Sequence, residues 1–567
     1  MLRGFQPFLA AACLLVAGLL FAHEDEKAAT GGPGASSRVL GNISFPTTAQ
    51  SEAAQGAFIR GMLLLHLFEY DFARMEFLQA QELEPEFAMA YWGEAMSYNH
   101  PIWDEQDLDA GRAALAKLAA TNEQRLEATI APREKAFLQA VDILYGSGSK
   151  SQRDRAYARA MEQMAAIYPG DHEVQLLYAL SLLGVEAGVR NIPAYMYATA
   201  IAQSVFCENP QHPGAAHYLI HGVDDPEHAV LGLAAARALA RMAPDSGHSL
   251  HMTSHIFTAL GMWDDVVAAN EAAVRVQNEM RQLQGLPARH WGHYNFWLLY
   301  GYLQQGRIEQ ARGLLEAAYA ELQAEGKSPD DRMILDSDRS ITGSVVQMWA
   351  RYLIETREFE SEIARWPFLM GDAFDPNLNF SFIQAMREAQ QGQAAKAGSF
   401  LEQFRRMKAE LEQAIRRQPE PSPGDQMYLE RLGVMEQEML AAIESARGDY
   451  LAAAKLAAEA SRLEGDMPFA FGPPFVDWPS AELLGELLFK SRKYAESAAA
   501  YELELERARL RANSLLGLAG AQEKQGLDSE AAYNLARLAE IWKNADRGEI
   551  MKLNEVAEGL SSTPENP

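Results

Sequence analysis

Residues 61–85 read GMLLLHLFEYDFARMEFLQAQELEP and carry small and large apolar residues at helical spacing. Gly61 and Ala73 are small enough to let two helices approach closely, and Phe77 is large enough to fill the seam between them. Pro85 then ends the second helix, because proline has no backbone N–H and its ring clashes with the preceding turn. The stretch therefore predicts a helical hairpin.

A 34-residue pattern is typical of stacked helical hairpins. Positions 8, 11, 20, 24, 27 and 32 of that pattern are occupied by Gly61, Leu64, Ala73, Phe77, Ala80 and Pro85. The chain here resembles the tetratricopeptide-repeat (TPR) family. Residues 88–97 (AMAYWGEAMS) and 212–221 (HPGAAHYLIH) are similar to signatures of exported bacterial TPR proteins without an assigned activity. The resemblance implies an all-α, right-handed solenoid of about ten TPR-like hairpins.

Breaks in this rhythm divide the chain. A polar stretch at residues 325–345 predicts an N-terminal array over 51–325 and a C-terminal array over 326–545, and residues 546–567 read as a disordered tail. A loop at residues 467–479 (MPFAFGPPFVDWP) is rich in aromatic residues and proline. Such a loop caps a groove, mimics a bound peptide or simply packs on the solenoid.

The N-terminus predicts export. Residues 1–22 have the short basic region, the apolar run and the terminal alanine of a secretory signal peptide. A lipoprotein signal ending at Cys13 is the alternative. Residues 23–50 are rich in glycine, serine and charged side chains, which favours a flexible leader. We therefore expect an exported protein, periplasmic or secreted.

The net charge and the apolar content limit which partners the protein can have. A net charge of -27 argues against nucleic acid and anionic membrane surfaces as partners. Beyond the signal segment, the sequence has no apolar run long enough for a transmembrane helix. The partner that a repeat array most often takes is a protein or peptide segment, bound in its concave groove.

Histidines supply the main chemical signal. The sequence has 13 of them, and two pairs, His217 with His221 and His251 with His255, share the spacing i, i+4. That spacing puts both imidazoles of a pair on one face of a helix. The second pair follows the first by 34 residues, so we expect the pairs to repeat in register.

The TPR resemblance implies that positions 2, 5, 9, 12 and 13 of each hairpin line the groove. His248 falls at position 2, and the two pairs fall at positions 5 and 9. The predicted metal ligands are His217, His221, His248, His251 and His255. The other residues predicted to line the groove are His66, Trp92, His100 and His293, whereas His228 and His290 fall outside it.

Two imidazole pairs on neighbouring helices predict one shared ion. Imidazole suits zinc, copper, iron and nickel, and three ligands leave a position open for water. Acceptors for the second ring nitrogens are expected at Asp224, Asp225 and Glu227. The His-Glu-x-x-His protease motif is absent, because Tyr218 and Met252 follow the first histidine of each pair.

Other interpretations stay open. Histidines at these positions also fit ordinary core or surface roles, or a groove that becomes cationic at mildly acidic pH and binds an anionic peptide or supports acid–base chemistry. Residues 290–296 resemble a family segment that often has a further histidine where Phe296 stands, which puts a strict ligand set in doubt. The first functional hypothesis is an exported peptide-binding scaffold. The alternative is a metal-binding protein or metalloenzyme, and the sequence does not decide whether the chain is an enzyme.

Overall fold

The computed structural model describes residues 38–325, 332–333, 335–418 and 421–561. Short 3-10 turns and one antiparallel pair of two-residue strands, β1 (Asn99–His100) and β2 (Glu105–Gln106), accompany the helices there. The α-helices of this described part are α1 (Glu52–His66), α2 (Tyr70–Leu83), α3 (Ala88–Met96), α4 (Leu108–Leu118), α5 (Asn122–Ala128), α6 (Pro132–Leu144), α7 (Lys150–Ile167), α8 (His172–Val185), α9 (Ile192–Glu208), α10 (Pro213–Val223), α11 (Ala229–Met242), α12 (Gly247–Leu260), α13 (Trp263–Leu283), α14 (His293–Gln304), α15 (Ile308–Glu325), α16 (Ile341–Thr356), α17 (Phe374–Gln390), α18 (Ala394–Arg416), α19 (Pro423–Ala446), α20 (Tyr450–Asp466), α21 (Ser480–Lys490), α22 (Tyr494–Arg507), α23 (Ala512–Glu523), α24 (Asp528–Ile541) and α25 (Arg547–Ser561).

The first hairpin has the seam that its residues predict. Phe77 packs into the space left by two glycines, since a Cβ at Gly61 would lie 2.6 Å from its ring and a Cβ at Gly93 would lie 2.4 Å from it. Helix α2 ends at Leu83, two residues before Pro85. The close approach of three helices around one aromatic ring therefore depends on small residues at matching positions.

Consecutive helices pack against one another along most of the chain. The first helices of successive hairpins also contact each other: α8 contacts α10, α10 contacts α12, and α14 contacts α16. The architecture is therefore the TPR-like, all-α solenoid that the sequence predicts. Within the described residues, none of the helices combines the length and apolarity that a membrane span requires.

The last hairpins return to the middle of the chain. Trp263 Nε1 donates to Leu510 O at 2.9 Å, and Ala512 N donates to Gln304 Oε1 at 2.9 Å. These bonds join α13 and α14 to the start of α23. The segment between α20 and α21, residues 467–479, reaches α10 and α12, where the ring of Phe471 lies 6.4 Å from that of His221 and 4.8 Å from that of His255.

Two large apolar cores underlie this shape. The buried side chains of one come from residues 40–300 and those of the other from residues 267–487. The change of core thus falls within α13 and α14, earlier in the chain than the break predicted at residue 325.

Both ends of the described chain differ from the sequence expectation. The predicted signal peptide lies outside the described residues, but residues 38–50 of the predicted flexible leader are packed. Phe45 is buried with its ring 5.0 Å from that of Phe58, because an aromatic side chain fills the seam there. At the other end, α25 occupies most of the segment predicted to be disordered, and Asp546 N donates to Gly306 O at 2.9 Å.

Candidate metal centre

Six buried or partly buried histidines form two groups of three. The upstream cluster is His217, His221 and His248, and the downstream cluster is His251, His255 and His293. Candidate ligand atoms within each cluster lie within 4.8 Å of one another. The five residues predicted as one site are therefore split between two clusters, and His293, predicted only to line the groove, completes the second.

Both clusters are built in the same way. Each combines an i, i+4 pair with the imidazole at position 2 of the next hairpin's first helix, so α10 pairs with α12 and α12 pairs with α14. His248 follows His217 by 31 residues, but His293 follows His251 by 42. The longer step arises because α13 has 21 residues and a further connection precedes α14.

Hydrogen bonds define which nitrogen carries the proton in two of the downstream rings. His251 Nδ1 donates to Asn270 Oδ1 at 2.8 Å, and the Asn270 amide nitrogen is itself used to donate to Val266 O. His255 Nδ1 donates to Asp224 Oδ2 at 3.1 Å. Since each acceptor is an oxygen without a hydrogen, each Nδ1 carries the proton, and each Nε2 presents a lone pair.

Those two lone pairs face each other. The Nε2 atoms of His251 and His255 are 3.2 Å apart, and both rings are buried. Burial lowers the pKa of both imidazoles, so a proton between them is disfavoured. Two ligands of one tetrahedral zinc ion with bonds of about 2.0–2.1 Å lie about 3.3 Å apart, so the spacing fits a metal.

The third downstream ring has the strongest acceptor. His293 Nδ1 donates to Asp338 Oδ2 at 2.6 Å. Burial lowers the pKa of His293, but the Asp338 and Asp336 carboxylates more than offset this and the net pKa is raised. An ion that binds His293 therefore competes with a proton for the ring more than it does at His251 or His255.

In the upstream cluster, His217 also carries its proton on Nδ1. His217 Nδ1 donates to the backbone carbonyl of His66 at 2.7 Å, which leaves the lone pair on Nε2. That Nε2 atom and the Nε2 atom of His221 are buried and have no hydrogen-bond partner among the described residues. Burial lowers the pKa of His217 to about 3, so the ring is neutral at physiological pH.

Aromatic rings cover both clusters. Phe68 lies 4.3 Å from His217 between ring centroids, and its φ of +57° places a bulky residue in the left-handed region. Over the downstream cluster, Trp297 lies 4.5 Å from His255, and Phe471 of the 467–479 loop lies 4.8 Å from it. Of the three roles considered for this loop, capping fits Phe471, which lies over His255.

Asp224 links the clusters. It is fully buried, and its Oδ1 accepts from Arg190 Nη1 at 2.8 Å. Its Oδ2 accepts from His255 Nδ1 and also lies 4.0 Å from His221 Nδ1. The other predicted acceptors do not serve the clusters directly, because Asp225 accepts from His228 and Glu227 is exposed. The acceptors Asn270 and Asp338 could not be predicted from the sequence. Each lies on a different element from its histidine, and no repeat spacing relates the two residues.

The remaining predicted groove residues have other roles. His100 stacks on Tyr70 at 4.0 Å, and burial lowers its pKa to about 4. Trp92 does not line the groove, because it is fully buried against Phe45 and Phe137. It fills the seam between the first helices and the packed N-terminal segment.

His66 belongs to a third buried group, which the sequence did not reveal. Its Nε2 lies 2.7 Å from Glu173 Oε2, and His212 Nε2 lies 3.1 Å from Glu173 Oε1. His66 Nδ1 contacts Tyr218 Oη at 2.8 Å, and His212 Nδ1 accepts from Ala215 N. Burial raises the pKa of Glu173, but the two imidazoles outweigh it and lower the pKa overall. All four ring nitrogens of His66 and His212 have hydrogen-bond partners within this network. We therefore interpret it as a structural network that joins α1, α8 and α10.

Comparison with known proteins gives fold-level likeness only. No family model and no curated protein matches the chain. Solved structures similar to it include the APC/C hetero-tetramer Cut9–Hcn1, at 12% identity and a TM-score of 0.30 over 90% of this chain and 78% of that one. The TPR domain of P58(IPK) has 13% identity and a TM-score of 0.20, over 84% and 98% of the two chains. The human IFIT1 dimer with m7Gppp-AAAA has 13% identity and a TM-score of 0.29, over 92% of each chain. At these TM-scores the likenesses say nothing about function.

Proposed function

We propose that this protein is a metal-binding helical solenoid whose downstream cluster holds one zinc- or copper-class ion. The observation that carries the proposal is the contact of 3.2 Å between the Nε2 atoms of His251 and His255. Both rings already donate through Nδ1, so neither Nε2 atom can donate to the other without an added proton. A metal ion satisfies both lone pairs at once, and His293 supplies the third ligand.

The surrounding residues suit this role. Asn270, Asp224 and Asp338 orient the three rings through Nδ1, which is how metal-binding histidines are usually held. Trp297 and Phe471 keep bulk water away from the cluster. A three-imidazole ion leaves a coordination position for water or for a substrate atom, which is the arrangement of hydrolytic zinc sites.

Metal analysis of the purified, untagged mature chain tests the proposal. The protein is loaded with Zn²⁺ or Cu²⁺, dialysed and measured by mass spectrometry for metal per chain. The double substitution His251→Gln with His255→Gln should remove one ion per chain. His172→Gln is the matched control, because that histidine is half-exposed and bonded to Glu208 away from the clusters. An unchanged metal content in the double variant would overturn the proposal.

An interaction scaffold is the second candidate, and the 467–479 loop favours it. Arg351 Nη1 donates to Asp477 O at 2.8 Å, Arg351 Nη2 to Pro474 O at 2.6 Å, and Arg431 Nε to Phe475 O at 2.7 Å. These guanidinium groups hold the irregular loop through its backbone carbonyls, as side chains in a groove would hold a bound peptide.

A peptide added in trans tests the scaffold. A variant with residues 469–475 replaced by a Gly-Ser linker should bind a synthetic peptide of residues 467–479, whereas the intact chain should not. Absence of binding to a folded loop variant would contradict a peptide-binding groove.

We also propose that the chain is exported after removal of residues 1–22. The support is the composition of the N-terminal segment. Amino-terminal sequencing of the protein recovered from the periplasm or the medium should begin at His23. Retention of an intact N-terminus inside the cell would contradict export.

A further inference from the structure

The upstream cluster repeats the downstream cluster one hairpin earlier. His217 and His221 stand on α10 as His251 and His255 stand on α12, and each pair meets the position 2 histidine of the following hairpin. The two sets share no residue. Cation binding by the upstream cluster can therefore be tested independently of cation binding by the downstream cluster.

The upstream nitrogens are poised to accept a cation. A backbone carbonyl can only accept, so the bond from His217 Nδ1 to His66 O at 2.7 Å leaves a bare lone pair on Nε2. This Nε2 atom and that of His221 are buried, and neither meets a hydrogen-bond partner in the described part of the chain. Buried polar atoms are nearly always satisfied, and two neighbouring imidazole nitrogens without a partner are in the state that a metal ligand pair requires.

One residue with a left-handed backbone lies beside the same three rings. Phe68 adopts a φ of +57°, and its ring centroid lies 4.3 Å from that of His217, 5.6 Å from that of His221 and 5.7 Å from that of His248. A bulky residue persists in this region only when its surroundings enforce it. The conformation directs the Phe68 ring over the cluster and excludes water from it.

A buried carboxylate connects the two clusters. The ring centroids of His221 and His255 are 6.0 Å apart, and Asp224 lies beside both rings. Arg190, which holds Asp224, also has a positive φ, of +48°. Asp224 therefore places one carboxylate between the two groups of imidazoles, where two neighbouring cations would need it.

We infer that His217, His221 and His248 form a second transition-metal site, so that the protein holds two neighbouring ions, each on three imidazoles. The class of ion is the one that neutral imidazoles select, zinc or copper. A pocket with a volume of about 100 Å³ has His248, Phe68 and Tyr294 in its wall, which offers a route for the ion or a small ligand toward the upstream site.

Metal stoichiometry tests the inference separately from the proposed function. Titration of the metal-free mature chain with Zn²⁺ should give two ions per chain. The variant carrying His217→Gln and His221→Gln should bind one ion, and so should the variant carrying His251→Gln and His255→Gln. The variant carrying all four substitutions should bind none, and His172→Gln should still bind two.

Each other result identifies which claim fails. One ion in the wild type, lost only with the downstream pair, overturns the second site and leaves the proposed function standing. One ion lost only with the upstream pair overturns the proposed downstream site and leaves the upstream site standing. No ion in the wild type overturns both.

A folding control and a second readout accompany the titration. Far-UV circular dichroism shows whether each variant is folded, and the single substitution His248→Gln replaces the upstream pair if that pair fails to fold. Cu²⁺ bound at both sites should show magnetic coupling in the electron paramagnetic resonance spectrum, absent from each one-site variant. Two uncoupled Cu²⁺ ions in the wild type would overturn the placement of the sites.

Discussion

The Nε2 atoms of His251 and His255 lie 3.2 Å apart, while the Nδ1 atoms of the same rings donate to Asn270 and Asp224. Two buried lone pairs at this distance repel each other unless a cation lies between them. Because burial lowers the pKa of both rings, this repulsion persists in the metal-free protein at neutral pH.

Metal binding should stabilise the fold. At a free ion concentration of 100 times Kd, a single site adds about 2.7 kcal/mol to the free energy of unfolding. The Tm of the metal-free protein should therefore rise by a few degrees when Zn²⁺ or Cu²⁺ is added. Mg²⁺ serves as the control because it prefers oxygen ligands. Equal Tm values with Zn²⁺ and with Mg²⁺ would count against the site.

Removing the acceptor of His293 should weaken binding without removing a ligand. In Asp338→Ala, the ring loses its bond of 2.6 Å and its fixed orientation, so the affinity for Zn²⁺ should fall by about 10–100-fold. Glu321→Ala is the matched control, because Glu321 is the acceptor of His290, which belongs to neither cluster. Competition with a chromophoric chelator measures both affinities, and equal losses in the two variants would contradict the role of Asp338.

Acid should destabilise the metal-free protein through its buried imidazoles. His100 has a folded-state pKa of about 4, below the unfolded value of about 6.5, so below pH 6.5 the unfolded chain binds a proton that the folded chain does not. The stability contributed by the neutral ring is complete above pH 6.5. It is lost as the pH falls toward 4, by up to about 3 kcal/mol.

The substitution His100→Phe isolates this effect. Phenylalanine keeps the stacking on Tyr70 but has no titratable group. Urea unfolding between pH 7 and pH 4 should show a smaller loss of stability in the variant than in the wild type. Identical pH profiles would contradict the assignment.

The cap should control the rate of metal exchange more than the affinity. Phe471→Ala removes the ring that stacks on His255, so extraction of Zn²⁺ by a chelator should be faster than in the wild type. Phe475→Ala is the control from the same loop, since its ring lies 5.4 Å from the Arg431 guanidinium and contacts neither cluster. If both variants release the ion at the wild-type rate, the loop is not the barrier to exchange.

The seam of the first hairpins makes a prediction about stability. In Gly93→Ala the new Cβ would lie 2.4 Å from Phe77, and such overpacking costs about 1–3 kcal/mol. In Gly313→Ala, on the exposed face of α15, nothing lies within 4 Å, and the helix should gain about 0.5–1 kcal/mol. Thermal unfolding should therefore shift in opposite directions, and a stabilised Gly93→Ala would contradict the packing.

Local patterns were sufficient for the repeat and for part of the site. Small residues opposite Phe77 and a proline after α2 act over a few helical turns, so the hairpin follows from residues 61–85 alone. The i, i+4 pairs share a helix face for the same reason. Expectations failed where they needed distant partners, as for residues 38–50, which pack because Phe45 finds a seam formed by helices elsewhere in the chain.

The linear chain specifies helical hairpins and two imidazole pairs in register, since helix geometry and seam size depend only on neighbouring residues. Its folding in space places the predicted ligand His248 with the first pair and adds His293 to the second. It also supplies the oxygens of Asn270 and Asp338 that set the ring protons and the cap at Phe471. These partners arrive through helices and connections of unequal length and through the return of the last hairpins. The position of a side chain after the last hairpins fold back cannot be calculated from its spacing along the sequence. These groups come within bonding distance only when the hairpins stack.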